Sequence, residues 1–158
     1  MSVTMKQVRA HLDRDEPDYS AAAQLGVEAL PHLVRLITDS DAMLASKAAY
    51  LASLIQSDRS NTVLEQAASN SHVQVRIAAA AGMQNIQQPP TALADILLND
   101  SDVGVRKIAL RSIEGRSIKG ATMGPQSMQG LKAKVQKVAQ SDSDTFIRDL
   151  ASHIADIL

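Results

Sequence analysis

The chain has 158 residues, of which 45% are hydrophobic and 21% are charged, and it contains no cysteine. This length and composition are typical of one folded globular domain. The absence of thiols excludes a disulfide framework, a thiolate metal site and a cysteine nucleophile. No stretch approaches the roughly 18 unbroken apolar residues of a membrane span, and the first residues lack the apolar core of a signal peptide. We therefore expect a cytoplasmic protein with no membrane contact.

The net charge of −1 hides an uneven distribution along the chain. Residues 106–137 contain eight basic residues and one acidic residue, whereas the remainder contains eight basic and sixteen acidic residues. This asymmetry bears on the choice of partner and on electrostatic steering, and it does not determine the fold.

Taken in chain order, the predicted elements are all helices. A helix around "TMKQVRAHL" and the charged loop "DRDEPDYS" form a cap over residues 1–19. Four pairs of apolar helical segments follow, at about 20–57, 60–88, 90–114 and 127–158, and each pair is joined by a short polar turn. Alternating strand patterns are missing, and only three residues are aromatic. The whole chain is predicted to be a single all-α domain.

The second helix of each pair begins with a recurring phrase. The turn reads Asp-Ser-Asp at 39–41, 100–102 and 142–144, and Asn-Ser-His at 70–72. An aliphatic residue follows three positions after the last turn residue, and an alanine follows seven positions after it, as a helix-starting turn and a buried helical stripe require. An arginine stands at the fourth position in three of the phrases, where the first has Ala45. Because one pair cannot bury its apolar stripe alone, successive pairs are expected to stack in series.

The phrase "LADILLNDSDVGVRKIALRSI" resembles a HEAT repeat, and the resemblance covers about residues 20–158. The first phrases are spaced 31 and 30 residues apart, which is similar to the compact HEAT-like repeats of bacterial proteins such as phycobilin lyases. The resemblance implies a right-handed α-α superhelix of four helical hairpins with an N-terminal capping helix. It also implies a structural ladder in which turn aspartates bind the arginines of neighbouring repeats, formed by Asp100, Asp142, Arg76, Arg106 and Arg148. Ala45 interrupts this pattern in the first repeat.

Motifs of known chemistry are absent from the sequence. The four histidines are scattered and form no His-Glu pair, the turns lack the glycine and glutamate of a calcium loop, and Ala121 stands where a phosphate loop needs lysine. No catalytic residue, metal ligand or cofactor site is therefore predicted.

Two features are candidate contact surfaces. The glycine-rich segment 115–130 lengthens the third phrase spacing to 42 residues, and its part 115–126 is predicted to be an inserted loop. The resemblance further implies that the second helices line a concave surface, where residues five, nine and twelve positions after each turn face outward. The predicted partner-binding residues are Tyr50, Ile77, Gln84, Lys107, Arg111, His153, Lys119 and Met123.

Three functional hypotheses remain open from the sequence. The first is a non-enzymatic module that binds a protein partner through the concave face. The alternative is a nucleic-acid-binding HEAT protein, similar to DNA glycosylases, that uses the basic segment 106–137, although the pI of 6.4 and the absence of aromatics in that segment oppose it. The third is a phycobilin-lyase-like chromophore enzyme, which repeat length alone supports.

Overall fold

The computed structural model describes residues 2–118 and 123–158, and every regular element within these ranges is helical. The α-helices are α1 (Met5–Leu12), α2 (Tyr19–Ala23), α3 (Leu30–Ile37), α4 (Ala42–Ser53), α5 (Asp58–Ala68), α6 (Val73–Gly82), α7 (Thr91–Leu98), α8 (Val103–Ile118), α9 (Pro125–Ser141) and α10 (Thr145–Ile157). Two short 3₁₀ turns cover Gly26–Ala29 and Met83–Asn85. The all-α prediction is confirmed. None of these helices is both long and apolar enough to span a bilayer.

The helices stack as pairs in series. The pairs are α3 with α4, α5 with α6, α7 with α8 and α9 with α10. The second helices α4, α6, α8 and α10 form one row, which we call the inner row, and α3, α5, α7 and α9 form the outer row. One apolar core runs between the two rows, and helices α1 and α2 close its N-terminal end against α3 and α4.

The repeated turns have a common local structure. In each, the first residue folds the turn, because its side-chain oxygen accepts a hydrogen bond from the backbone N–H two positions later. In the three Asp-Ser-Asp turns the second aspartate caps the following helix by accepting from a backbone N–H of its first turn. His72 occupies the capping place in the remaining turn and makes no side-chain cap hydrogen bond.

Small residues set the spacing within the inner row. Ala45, Ala48 and Ala49 of α4 and Ala79 of α6 are fully buried, and α4 and α6 approach each other more closely than α3 and α5 do. Near Gly82 the seam is so tight that an added Cβ would lie 2.7 Å from the Cβ of a serine in α4.

The inserted loop predicted at 115–126 is helical at both of its ends, and its central residues 119–122 lie outside the described residues. Residues up to Ile118 continue α8, and α9 begins at Pro125. Tertiary contacts outweigh the cost of about 1 kcal/mol for glycine in a helix: Arg116 is 4% exposed and donates to the backbone carbonyls of Gln84 and Ile86. In α9, a Cβ on Gly130 would lie 3.3 Å from Thr91, so glycine permits α9 to approach α7.

Candidate partner-binding face

A ladder of charged hydrogen bonds joins successive turns. The Arg76 guanidinium donates to Asp100 through Nε at 2.8 Å and Nη2 at 3.3 Å, and Arg106 donates to Asp142 in the same way at 2.8 and 3.0 Å. Each arginine also donates through Nη1 to two backbone carbonyls of its own turn. Each guanidinium therefore fixes its own turn and the turn of the next repeat at the same time.

The two ends of the ladder differ from its centre. Arg148 donates to the backbone carbonyl of Asp142 at 2.6 Å and to the Thr145 hydroxyl, and within the described ranges it pairs with no carboxylate. Between the first two repeats, where Ala45 replaces the arginine, the side-chain amide of Asn70 donates to the backbone carbonyl of Ile37 at 3.0 Å. A neutral hydrogen bond thus replaces the ion pair at that seam.

An apolar cleft opens on the inner face between the N-terminal cap and helices α4 and α6. It encloses about 410 Å³, and its walls include Tyr19, Met43, Tyr50, Ile77 and Ala78. The rings of Tyr19 and Tyr50 meet edge to face with their centroids 5.0 Å apart. Burial, and to a smaller extent the neighbouring Tyr50, raises the pKa of Tyr19 above its usual value. Met43 is 65% exposed at the mouth of this cleft, which can accept an apolar side chain.

A charged cluster occupies the inner face of α8 and α10. The Lys107 ammonium lies 5.2 Å from the ring centroid of Phe146, and that ring is 53% exposed. Arg111 donates to Glu114 at 2.9 Å, and His153 Nε2 lies 3.8 Å from the other oxygen of the same carboxylate. The cluster presents the Lys107 ammonium beside an exposed aromatic ring and, on the same helix, the Arg111 guanidinium paired with Glu114, and it can receive a carboxylate of a partner.

The structure distributes the eight predicted contact residues unequally. Tyr50 and Ile77 share the apolar cleft, while Lys107, Arg111 and His153 share the charged cluster. The other three residues belong to neither group.

Those three are placed as follows. Gln84 lies half-buried in the second 3₁₀ turn, Met123 packs against the edge of the core, and Lys119 lies outside the described residues. Within the same predicted outward-facing stripe, Ser53 is buried; its hydroxyl donates to the Tyr50 carbonyl and accepts a hydrogen bond from the Asn85 side-chain amide.

Sequence reasoning missed three members of the face, namely Tyr19, Met43 and Phe146. Met43 precedes Tyr50 by seven residues and Phe146 precedes His153 by seven, so each lies two helical turns earlier on the same stripe. Continuing the helical projection back to the first turn of each helix would have found both. No comparable signal exists for Tyr19, because the cap approaches α4 only through the tertiary fold.

The described residues contain no group of three or more histidine or acidic side chains able to hold a metal ion. Glu114 and His153 are the nearest approach to an acid–base pair on this face. They come from two different helices and are brought together by the stacking of the third and fourth pairs.

No protein-family model and no curated protein matches this chain. Among solved structures, a chain in the complex of CpcE and CpcF of phycocyanin lyase from Nostoc sp. PCC7120 is similar, with a TM-score of 0.71 and 21% identity. The match covers 95% of this chain and 96% of that chain. At this identity the likeness shows a shared HEAT-like helical fold. The aligned region extends over the whole helical stack.

This comparison contradicts the expectation that the chain is not an enzyme, since the similar chain belongs to a lyase. That expectation depended on a search for catalytic motifs with fixed spacing in the sequence. A helical stack brings together side chains from separate helices at no fixed spacing, as Glu114 and His153 show.

Proposed function

We propose that this chain is a protein-binding subunit of an enzyme of the lyase type, and that the inner face holds its protein partner. The observation that carries the proposal is the presence of the apolar cleft and the charged cluster on the same row of inner helices. Interfaces are typically built from such aromatic and apolar anchors flanked by arginine and other polar groups.

The similar solved chain supports the enzymatic part of the proposal. That chain is part of a complex of two proteins, CpcE and CpcF, that together form a phycocyanin lyase. By analogy, we propose that this chain works in a complex with a second protein rather than alone, and that its substrate is a protein that receives a chromophore. This part rests on a shared fold and is therefore an analogy.

The partner is expected to present an apolar side chain to the cleft and a carboxylate to the cluster. Tyr50 and Ile77 would surround the apolar anchor, while Lys107 and Arg111 would pair with the carboxylate. Removing a central aromatic anchor from an interface costs on the order of 2 kcal/mol, which corresponds to about a thirtyfold loss of affinity.

Quantitative affinity capture from the native cell tests the binding part. The wild-type chain is compared with Tyr50→Ala, Arg111→Glu and a control, Lys137→Glu, which makes the same charge change on the exposed side of α9 in the outer row. We expect one protein to be retained by the wild type and by the control, and to be lost from both inner-face variants. Equal retention by all four chains would exclude the inner face as the binding surface.

The lyase part needs a separate measurement. The chain and the captured partner are purified together and mixed with a phycobilin and an acceptor protein, and covalent attachment is read as pigment that stays with the protein under denaturing conditions. We expect attachment with the pair and less with either chain alone. If the pair forms but never attaches pigment, the binding proposal survives and the lyase proposal does not.

A further inference from the structure

A second groove lies on the outer row, on the side of the stack away from the inner face. It runs between α3 and α5 and encloses about 410 Å³. Leu30, Val34 and Val63 form its apolar floor, and the arginines Arg35 and Arg59 border it. This volume lies within the range of small ligand pockets, about 300–1,000 Å³.

The packing of the first two repeats accounts for this groove. The buried alanines of α4 bring α4 and α6 close together in the inner row, and the two outer helices of the same repeats pack less closely against each other. Leu30 and Val63 are almost fully buried at the bottom of the groove, and the half-buried Val34 leaves part of its apolar surface open to it. The groove therefore follows from the looser packing of these two outer helices.

The two arginines set the charge of the groove. Both are exposed, and among the described residues neither forms a salt bridge, whereas Arg9, Arg76 and Arg106 each pair with an aspartate. The lining contains no acidic residue, and Asp58, which precedes Arg59 in the sequence, does not line the groove. Two unpaired guanidinium groups beside an apolar floor favour a ligand with carboxylates on either side of an apolar group.

We propose that this groove binds an acidic segment of a partner protein, in which carboxylates pair with Arg35 and Arg59 and an apolar side chain between them enters the groove. The lining contains no aromatic residue on which a base could stack, which favours a peptide over a single-stranded nucleic acid. This surface is separate from the inner face, and the proposal does not depend on the lyase function.

A synthetic peptide tests the proposal directly. The probe has two glutamates on each side of a Leu-Phe pair and carries a fluorescent label, and its binding is followed by fluorescence anisotropy. One control peptide replaces the glutamates with glutamine, and another replaces the Leu-Phe pair with alanines. We expect the acidic peptide to bind the wild-type chain in the micromolar range, at least tenfold more tightly than either control peptide.

Variants of the chain identify the surface. Arg35→Glu and Arg59→Glu should each weaken binding at least tenfold, and Lys137→Glu in the fourth repeat should leave it within twofold. Added salt should weaken binding of the acidic peptide and leave the glutamine peptide nearly unchanged. Circular dichroism of each variant shows whether it retains the helical fold of the wild type.

Several outcomes would overturn the proposal. They are absence of binding by the acidic peptide, equal binding of the glutamine peptide, and equal weakening by Lys137→Glu. Tighter binding of a single-stranded oligonucleotide that the same two arginine variants abolish would assign the groove to nucleic acid instead.

Discussion

Replacing Arg106 with alanine should destabilise the stack more than any other single truncation in the ladder. The guanidinium joins Asp142 by two hydrogen bonds, and the two side chains are only 11% and 6% exposed. It also supports the carbonyls of Asp100 and Ser101. Removing one partner of a buried ion pair costs about 3–5 kcal/mol, because the other charge remains buried without compensation.

We expect about 3 kcal/mol here, the lower end of that range, because Asp142 keeps its hydrogen bond from the Asp144 backbone. The matched control is Arg148→Ala, at the same position of the last repeat. Arg148 bonds a carbonyl and a hydroxyl and no carboxylate among the described residues, so about 1 kcal/mol should be lost. The stability loss of Arg106→Lys should lie between the losses of Arg106→Ala and Arg148→Ala, since an ammonium cannot donate to both carboxylate oxygens in the planar geometry of arginine.

Urea unfolding followed by circular dichroism measures these differences, provided that the slope with denaturant is the same in all variants. For a chain of this length, 3 kcal/mol corresponds to a fall in Tm of about 6–12 °C. A loss below about 1 kcal/mol for Arg106→Ala, or a loss no larger than that of Arg148→Ala, would show that the ladder does not stabilise the stack.

Two further results are expected. Gly82→Ala should lower the free energy of unfolding, measured in urea, by about 1–3 kcal/mol, because the added Cβ would lie 2.7 Å from Ser53. Gly115→Ala should stabilise α8 by up to about 1 kcal/mol, because its Cβ would meet only the tip of a glutamine side chain at 3.4 Å. Equal effects of the two substitutions would contradict the packing argument. The hydrogen bond from Lys134 lowers the pKa of Asp95, so this pair stabilises the fold above the unfolded pKa and loses that contribution as pH falls through the folded pKa. Lys134→Met should raise the pKa of Asp95 toward its usual value in an NMR titration, with a stability change below about 1 kcal/mol because the pair is largely exposed, and an unchanged titration would exclude the pairing in solution.

The repeated architecture could be predicted from the sequence because the same pattern of turn and helix residues recurs in each repeat. Asp100 and Asp142 stand in identical turns, and Arg76 and Arg106 follow at one register, so the helix starts and the ladder partners coincide in the pattern. The helical content of 115–118 could not be predicted, because it depends on Arg116 reaching carbonyls some thirty residues earlier. Local glycine propensity was the only signal in the sequence, and it pointed the wrong way.

The candidate site was predictable for a similar reason, and only in part. Positions on one stripe of one helix follow from helical periodicity, which is why the sequence could place Tyr50, Lys107 and Arg111 on one side of their helices. The edge-to-face contact between Tyr19 and Tyr50 joins the cap to α4, and the contact between Glu114 and His153 joins α8 to α10. Contacts between elements depend on how the repeats rotate against one another, and a single sequence does not specify that rotation.

The two kinds of seam in the stack have different consequences for the inner face. The seam between the first two repeats is held by alanine packing and the neutral bond from Asn70, and the apolar cleft lies on it. The later seams are held by the ion pairs of Arg76 and Arg106, and the charged cluster lies beside the second of these. Loss of the ladder arginine Arg106 should therefore shift the charged cluster before it disturbs the cleft, because the seam under the cleft is held by alanine packing and the Asn70 bond and by no ladder arginine. A partner that uses both regions would then lose its carboxylate contact and keep its apolar anchor.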